Sequence, residues 1–310
     1  MRLASLAFAA SLSVLVLACS SKSGDAAPSG TDAGDAAVDT GAERTFGGDR
    51  PVSVRVPEGY DAKKPAPLLV MLHGHGASGL SFELYLKMIN IADEHGFFYV
   101  APDGTEDSKH VRFWNATDAC CADGAPVDDV AYLTGLVKEI QSVYSIDPKR
   151  IYLLGHSNGG FMAHRLACEH AETFAAIASF AGALWTNEST CNPSGPVGVL
   201  QIHGTADDTV LYAGTSTPTS GLLGTYPGAE QTVATWAKKV GCAAALTDTG
   251  TKIHIDADLK GNETSVLRHD GCPKNGAAEL WRVQGGPHIF AFAPEALETT
   301  WKFFEDHAKP

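Results

Sequence analysis

Short apolar runs alternate along this chain with segments whose apolar positions recur every three to four residues. Strands are expected at 51–56, 68–72, 97–101, 151–154, 175–180, 197–202 and 280–283. Helices are expected at 82–95, 128–144, 159–170, 230–240 and 294–307. Continuous apolar runs, rather than runs alternating with polar residues, mark strands covered on both faces. Strands interleaved with helices are the pattern of βαβ units around a mostly parallel sheet, so the expected class is α/β with helices on both faces. Acidic Asp128-Asp129 opens one helix at the positive end of its dipole, and Pro294 stands where a first helical turn tolerates proline.

The first 45 residues do not follow that pattern. Arg2 precedes an apolar run from Leu3 to Leu17, which ends in Ala18-Cys19. A run this short suits an export signal better than a membrane span. Val16-Leu17-Ala18-Cys19 resembles a bacterial lipobox, so residues 1–18 are read as a lipoprotein-type signal peptide and Cys19 as the lipidated residue, with an ordinary signal peptide as the alternative. Residues 19–45 are mostly Gly, Ala, Ser, Asp and Thr with almost no large aliphatic side chain, an acidic tether without the apolar surface to fold. Residues 46–310 are expected to form one α/β domain. The only membrane attachment expected is through Cys19.

The net charge is −13, which argues against nucleic acid as a partner. With Cys19 set aside, Cys120, Cys121, Cys168, Cys191, Cys242 and Cys272 remain, an even set in an exported domain, where disulfides are the default. Cys242 and Cys272 bracket one segment and are expected to pair, leaving Cys120 and Cys121 to reach Cys168 and Cys191 in either order. A bridge between adjacent cysteines is disfavoured, because their Cα atoms are only about 3.8 Å apart across a trans peptide. The spacings contain no paired ligand knuckle, so no metal and no other cofactor is expected.

In a parallel sheet the working groups collect beyond the carboxyl ends of the strands. Four such ends carry chemistry. Leu72 leads into His73-Gly74-His75-Gly76, Leu154 into Gly155-His156-Ser157-Asn158-Gly159-Gly160, Ile202 into His203-Gly204-Thr205-Ala206-Asp207, and Val283 into Gly285-Gly286-Pro287-His288. The second is G-x-S-x-G between a strand and a helix, a sharp turn that exposes a serine hydroxyl. A serine attacks a carbonyl only when a base takes its proton, so Ser157 is read as nucleophile and His288 as base, with Asp207 orienting the imidazole. Ser-Asp-His is also the chain order expected of an α/β-hydrolase. Asp208 is the rival for the acid; His73 and His203, each followed by Gly, are read as turn-packing residues, and His156 as adjoining the serine with its side chain pointing elsewhere. The oxyanion is expected between the backbone amides of Asn158 and His75, with Gly76 next in line. Trp114 is a candidate for the substrate pocket or, equally, a cover for a disulfide.

Taken together, these motifs resemble the exported α/β-hydrolase esterases of the polyhydroxybutyrate depolymerase-like and feruloyl esterase-like family. The resemblance runs from about Pro51 to His307 and also includes Ala101-Pro102-Asp103-Gly104, Phe113-Trp114-Asn115 with Cys120-Cys121, Val127-Asp128-Asp129-Val130 and Leu166-Ala167-Cys168. It implies serine-dependent hydrolysis of carboxylic esters, with Ser157, Asp207 and His288 on the catalytic positions and a small-molecule or oligomeric ester as substrate. The histidine loop departs from the family pattern Gly-Gly-Gly-His-Thr-Trp-Pro: Pro287 stands before the histidine and Phe290 at the tryptophan position. Two other readings use the same residues: a serine peptidase, or a non-catalytic binding protein on a hydrolase scaffold.

Overall fold

The computed structural model describes residues 44–121, 127–218 and 223–310. The signal segment, Cys19 and all but the last two residues of the tether lie outside the described residues. A ten-stranded sheet is built from β1 (Thr45–Phe46), β2 (Val52–Arg55), β3 (Ala66–Leu72), β4 (Phe98–Val100), β7 (Ile146–His156), β8 (Ala176–Phe180), β9 (Gly198–Gly204), β12 (Leu246–Ile253), β13 (Thr264–His269) and β14 (Ala277–Val283). Two small antiparallel pairs, β5 (Thr105–Glu106) with β6 (Arg112–Phe113) and β10 (Gly214–Thr215) with β11 (Tyr226–Pro227), decorate it. The order is β1-β2-β4-β3-β7-β8-β9-β14-β13-β12, parallel from β4 to β14 and antiparallel at both edges. This is the α/β-hydrolase arrangement expected from the sequence.

Alternation along each central strand divides the core. Leu68, Val70 and Leu72 of β3 join Ile151 and Leu153 of β7 on the face covered by α3 (Asp129–Val143), α4 (Asn158–Glu169) and α5 (Ala229–Val240). Leu69, Met71, Tyr152 and Leu154 point to the other face, under α1 (Gly79–Leu86), α2 (Ile89–His95) and α6 (Ala296–Asp306). Because side chains alternate with a period of two and both faces are covered, Leu68 to Leu72 and Ile151 to Gly155 are all buried, which is why these stretches read as unbroken apolar runs.

The expected helix over 82–95 is two helices. Lys87 ends α1 in the left-handed region (φ 53°), its N–H bonded to the Glu83 carbonyl, and Met88 then turns into the core. Strands β12 and β13 were not anticipated. They form an edge hairpin whose β12 residues are mostly exposed, so Leu-Thr-Asp-Thr-Gly-Thr-Lys-Ile carries no apolar run.

Cys242 pairs with Cys272, as expected, tying the end of α5 to the turn after β13. The other expected pairing is corrected: Cys168, in the last turn of α4, is bonded to Cys191, and Cys120 is bonded to Cys121 across a cis peptide. Buried Cys168 and Cys191 meet directly, with Cα atoms 5.1 Å apart, which leaves Cys120 and Cys121 only each other.

The β12–β13 hairpin also anchors the segment that follows His288. Glu263 accepts hydrogen bonds from the Ile255 and Asp256 amides (2.8 and 3.0 Å) and from His254 Nδ1 (2.6 Å). Asp256 in turn accepts from the Ala291 amide at 3.1 Å, and the Ala257 amide donates to the Ala291 carbonyl. Burial raises the Glu263 pKa, but these donors outweigh it and bring it from 4.5 down to about 2. A depressed carboxylate contributes its stability in full above its ordinary value and loses it as the pH falls toward the folded value. His254, raised by the same bond, contributes fully below 6.5 and loses that contribution as the pH rises through its raised value. The clasp is therefore strongest at mildly acidic pH. Glu263→Gln is expected to lower the melting temperature at pH 5 and to flatten its fall between pH 5 and pH 3. Melting curves of variant and wild type that stay parallel across that range would remove the assignment.

Candidate active site

Strands β3, β7, β9 and β14 run parallel, so their carboxyl ends open on one edge of the sheet. The turn after β7 carries a strained residue. Ser157 has φ 54° and ψ −120°, a strained backbone for a residue with a Cβ, held by its amide bonding the Phe180 carbonyl at 2.7 Å. Helix α4 begins at the next residue. A Cβ on Gly159 would be driven into the Leu72 carbonyl and one on Gly155 into the Gly159 carbonyl, so strand and helix meet only because both residues lack side chains. Gly159→Ala is expected to cost about 3 kcal/mol or more, since backbone rather than a flexible side chain must move. Urea denaturation measures it; an unchanged midpoint would rule out the close approach.

Asp207 is buried and its two oxygens have separate tasks. Oδ1 accepts the Thr209 and Val210 amides at 2.9 and 2.8 Å, and Oδ2 accepts His288 Nδ1–H at 2.8 Å. Nε2 of His203 lies 3.3 Å from the same Oδ2. Burial pushes the Asp207 pKa up, but the bonds from His203 and His288 outweigh it and hold the group well below the carboxylate range. Asp208, the rival by sequence, is exposed and accepts a hydrogen bond from the Thr209 hydroxyl at 3.3 Å.

Ser157 and His288 line one cavity of about 240 Å³ together with Gly74, His75, Ala77, Ser81, Phe82, Tyr85, His156 and Ile289. No hydrogen bond joins Ser157 to His288 among the described residues, and such bonds commonly tighten only when substrate is bound. The His288 carbonyl is anchored by His156, whose Nε2–H donates to it at 2.8 Å. Burial, reinforced by repulsion from His288, lowers His156 to a pKa of about 4, so it is a neutral donor.

The two anticipated oxyanion amides, those of His75 and Asn158, donate to no group among the described residues, whereas the Gly76 amide is taken by the Arg112 carbonyl at 2.8 Å. The Asn158 side chain clamps the Trp114 backbone at both its N–H (2.6 Å) and its C=O (2.9 Å). Trp114 is corrected: it is fully buried, does not line the cavity, and donates its indole N–H to the His73 carbonyl. Its work is to hold the loop after β3. His73 is a packing residue, as read from the sequence: its Nδ1–H donates to Gly74 O and its Nε2 accepts the Gly104 amide. Phe290, at the position where the family pattern has tryptophan, is buried against Phe180 and Phe292.

The sequence pattern assigned His203 only a turn-packing role, whereas it lies against Asp207, and it did not mark Gln201 behind it. A signal was present: both are polar residues two apart, hence on one face of an otherwise apolar central strand. A larger groove of about 810 Å³ lies by β2 and α1, where Glu83 bonds the Tyr99 hydroxyl, Asp103 pairs with Arg112 and Arg55 pairs with Asp93. It holds none of the residues at the four strand ends.

Residues 52–232 match the profile of the family described as Esterase PHB depolymerase. Feruloyl esterase B of Piromyces equi is 34% identical over 77% of this chain, and the chain spans 42% of that protein's length. A probable feruloyl esterase C of Aspergillus flavus is 28% identical, with 83% of this chain and 84% of that protein covered. Among solved structures, an acetyl xylan esterase from Aspergillus awamori superimposes with a TM-score of 0.55 at 14% identity, covering 86% of this chain and 100% of that one. That likeness is one of fold.

Proposed function

The chain belongs to the esterase PHB depolymerase family, and from that membership we propose that it is an exported serine esterase that hydrolyses carboxylic esters through an acyl-enzyme. The observation that carries this reading is the bond from buried Asp207 to His288, which lines the same cavity as Ser157.

Ser157 Oγ attacks the ester carbonyl carbon while His288 Nε2 takes its proton, and the Asp207 carboxylate stabilises the imidazolium that forms. The negative charge that develops on the carbonyl oxygen is received by the amides of His75 and Asn158, the latter at the positive end of α4. His288 then returns the proton to the departing alcohol, and water releases the acid by the same steps in reverse. No metal or cofactor enters these steps.

The substrate class is an oligoester of the hydroxybutyrate type or a feruloyl or acetyl ester of polysaccharide. Supporting it are the names of the similar proteins and a cavity walled by Phe82, Tyr85 and Ile289, which offers an acyl group apolar cover. Residues 1–18 direct export, Cys19 carries the lipid, and residues 19–45 tether the catalytic domain of 46–310.

A fluorophosphonate probe tests the nucleophile. Labelling of wild type but not of Ser157→Ala supports the reading; absence of labelling on folded wild-type protein supports a binding protein instead. Hydrolysis of hydroxybutyrate oligomers, methyl ferulate and acetylated xylan, compared at equal enzyme, assigns the substrate. Amide turnover that matched ester turnover would favour a peptidase.

A further inference from the structure

Strand β9 reads Gly-Val-Leu-Gln-Ile-His-Gly and is buried throughout, yet it carries two polar side chains. Residues 199, 201 and 203 share a face, and Val199 packs in the core beneath α4 and α5. Each polar group placed there is matched. Trp236 Nε1 of α5 lies 3.0 Å from His164 Nδ1 of α4, and His164 Nε2 lies 2.9 Å from Gln201 Oε1. Gln201 Nε2 is 2.9 Å from the Gly182 carbonyl and 3.2 Å from His203 Nδ1. His203 Nε2 is 2.8 Å from the Val210 carbonyl and 3.3 Å from Asp207 Oδ2. Trp236, His164, Gln201 and His203 are at most 1% exposed.

The chemistry of the ends settles where every proton sits. An indole N–H only donates, so His164 Nδ1 accepts and its Nε2 carries the hydrogen given to Gln201 Oε1. Burial lowers His164 to a pKa of about 4, consistent with a neutral ring. The Gly182 carbonyl only accepts, which independently orients the Gln201 amide with its NH₂ toward His203. At the far end the Val210 carbonyl and the Asp207 carboxylate are both acceptors, so His203 Nε2 bears the hydrogen and Nδ1 is a lone pair. A second proton on Nδ1 would meet the Gln201 N–H head-on.

We propose that Gln201 and His203, backed by His164 and Trp236, are positioning residues: they lock His203 as a neutral Nε2–H donor against Asp207, reserving that carboxylate's charge for His288. The inference rests on the triad reading above. Asp207 is then surrounded by donors, two backbone amides and two imidazoles, of which only His288 is free to gain and lose a proton. Were His203 cationic, the carboxylate would be shared between two imidazolium rings, and the one formed on His288 during acyl transfer would be less stabilised. Of the other ionisable groups around the cluster, Arg282, opposite His203 on β14, is paired with Glu230 at 3.7 Å. His156, with its ring 4.9 Å from that of His288, is neutral, and Tyr212, packed on the His203 ring, is raised by burial and bonded to Glu230.

The test uses the full chain. Nitrogen-15 histidine spectra of the wild type, with His203 assigned by its loss in a His203→Phe sample, are expected to show His203 neutral and protonated on Nε2 at pH 7. This measurement needs no turnover, so it stands or falls apart from the esterase reading, which Ser157→Ala tests. Gln201→Glu keeps the shape and replaces the donor by an acceptor, so His203 is expected to take a second proton. The lowered stabilisation of the His288 imidazolium then moves the acid limb of the kcat/KM profile for p-nitrophenyl acetate down by about half a pH unit or more, with a plateau about tenfold lower. A merely structural role would lower the plateau and leave the limb in place. Wild-type His203 found as imidazolium, or protonated on Nδ1 at pH 7, would overturn the proposal. So would a Gln201→Glu variant with unchanged His203 shifts and an unmoved acid limb.

Discussion

Ser157→Ala is expected to lower kcat for a p-nitrophenyl ester by about 10⁶-fold, the scale of loss seen when the nucleophile of a serine hydrolase is removed. The backbone at this position is strained, so alanine, which accepts the φ of 54° no better than serine, leaves the turn as it is. Neither Asp207 nor His288 depends on the hydroxyl for its partners. The loss should therefore appear in kcat with little change in thermal stability. A residual rate above background is expected from the His75 and Asn158 amides, which survive the substitution. Equal rates for variant and wild type, measured on protein of matched purity and folding, would end the serine mechanism for this chain.

Asp207→Asn is expected to cost about 10⁴-fold in kcat, and the local bonds say why. The Thr209 and Val210 amides need an acceptor, so the new amide is fixed with its oxygen toward them. Its NH₂ group then faces His288 Nδ1, where the carboxylate used to accept. His288 must accept at Nδ1 and carry its hydrogen on Nε2, the nitrogen that has to receive the serine proton. The base is present in the wrong tautomer. The same NH₂ confronts His203 Nε2–H, so some stability is lost as well. Asp208→Asn, one residue along and exposed, is the control and should stay within about twofold of wild type. If the two variants lost activity alike, the assignment of the acid would be wrong.

The sheet centre was legible because each of its strands is buried on both faces and so appears as an apolar run. Where one face meets water the signal vanished, and β12 and β13 were missed. Ser157, Asp207 and His288 could be placed at the ends of their strands for a related reason: in a parallel sheet, chain order and strand polarity send those ends to one edge whatever the loops do. The two helices in 82–95 look like one because the break comes from Lys87 in a left-handed conformation, which no glycine or proline announces. Trp114 looked like a pocket residue because an aromatic near a reactive loop suits either role. Its burial and its donation to the His73 carbonyl give it a third role, holding the loop after β3.

From the alternation of apolar runs and helical segments the α/β class could be named, and from the strand-end motifs the serine, its candidate base and acid and the loop offering oxyanion amides, because each depends on short-range pattern and strand polarity. Contacts between residues distant in sequence settled the rest. Cys168 found Cys191 rather than Cys120 or Cys121, the Gly76 amide went to Arg112 and left that of His75 unclaimed, and His203 came to rest against Asp207. Those outcomes turn on which partner lies within about 3 Å of a donor or sulfur. Such distances are set by packing across the whole domain, which no local window of sequence contains.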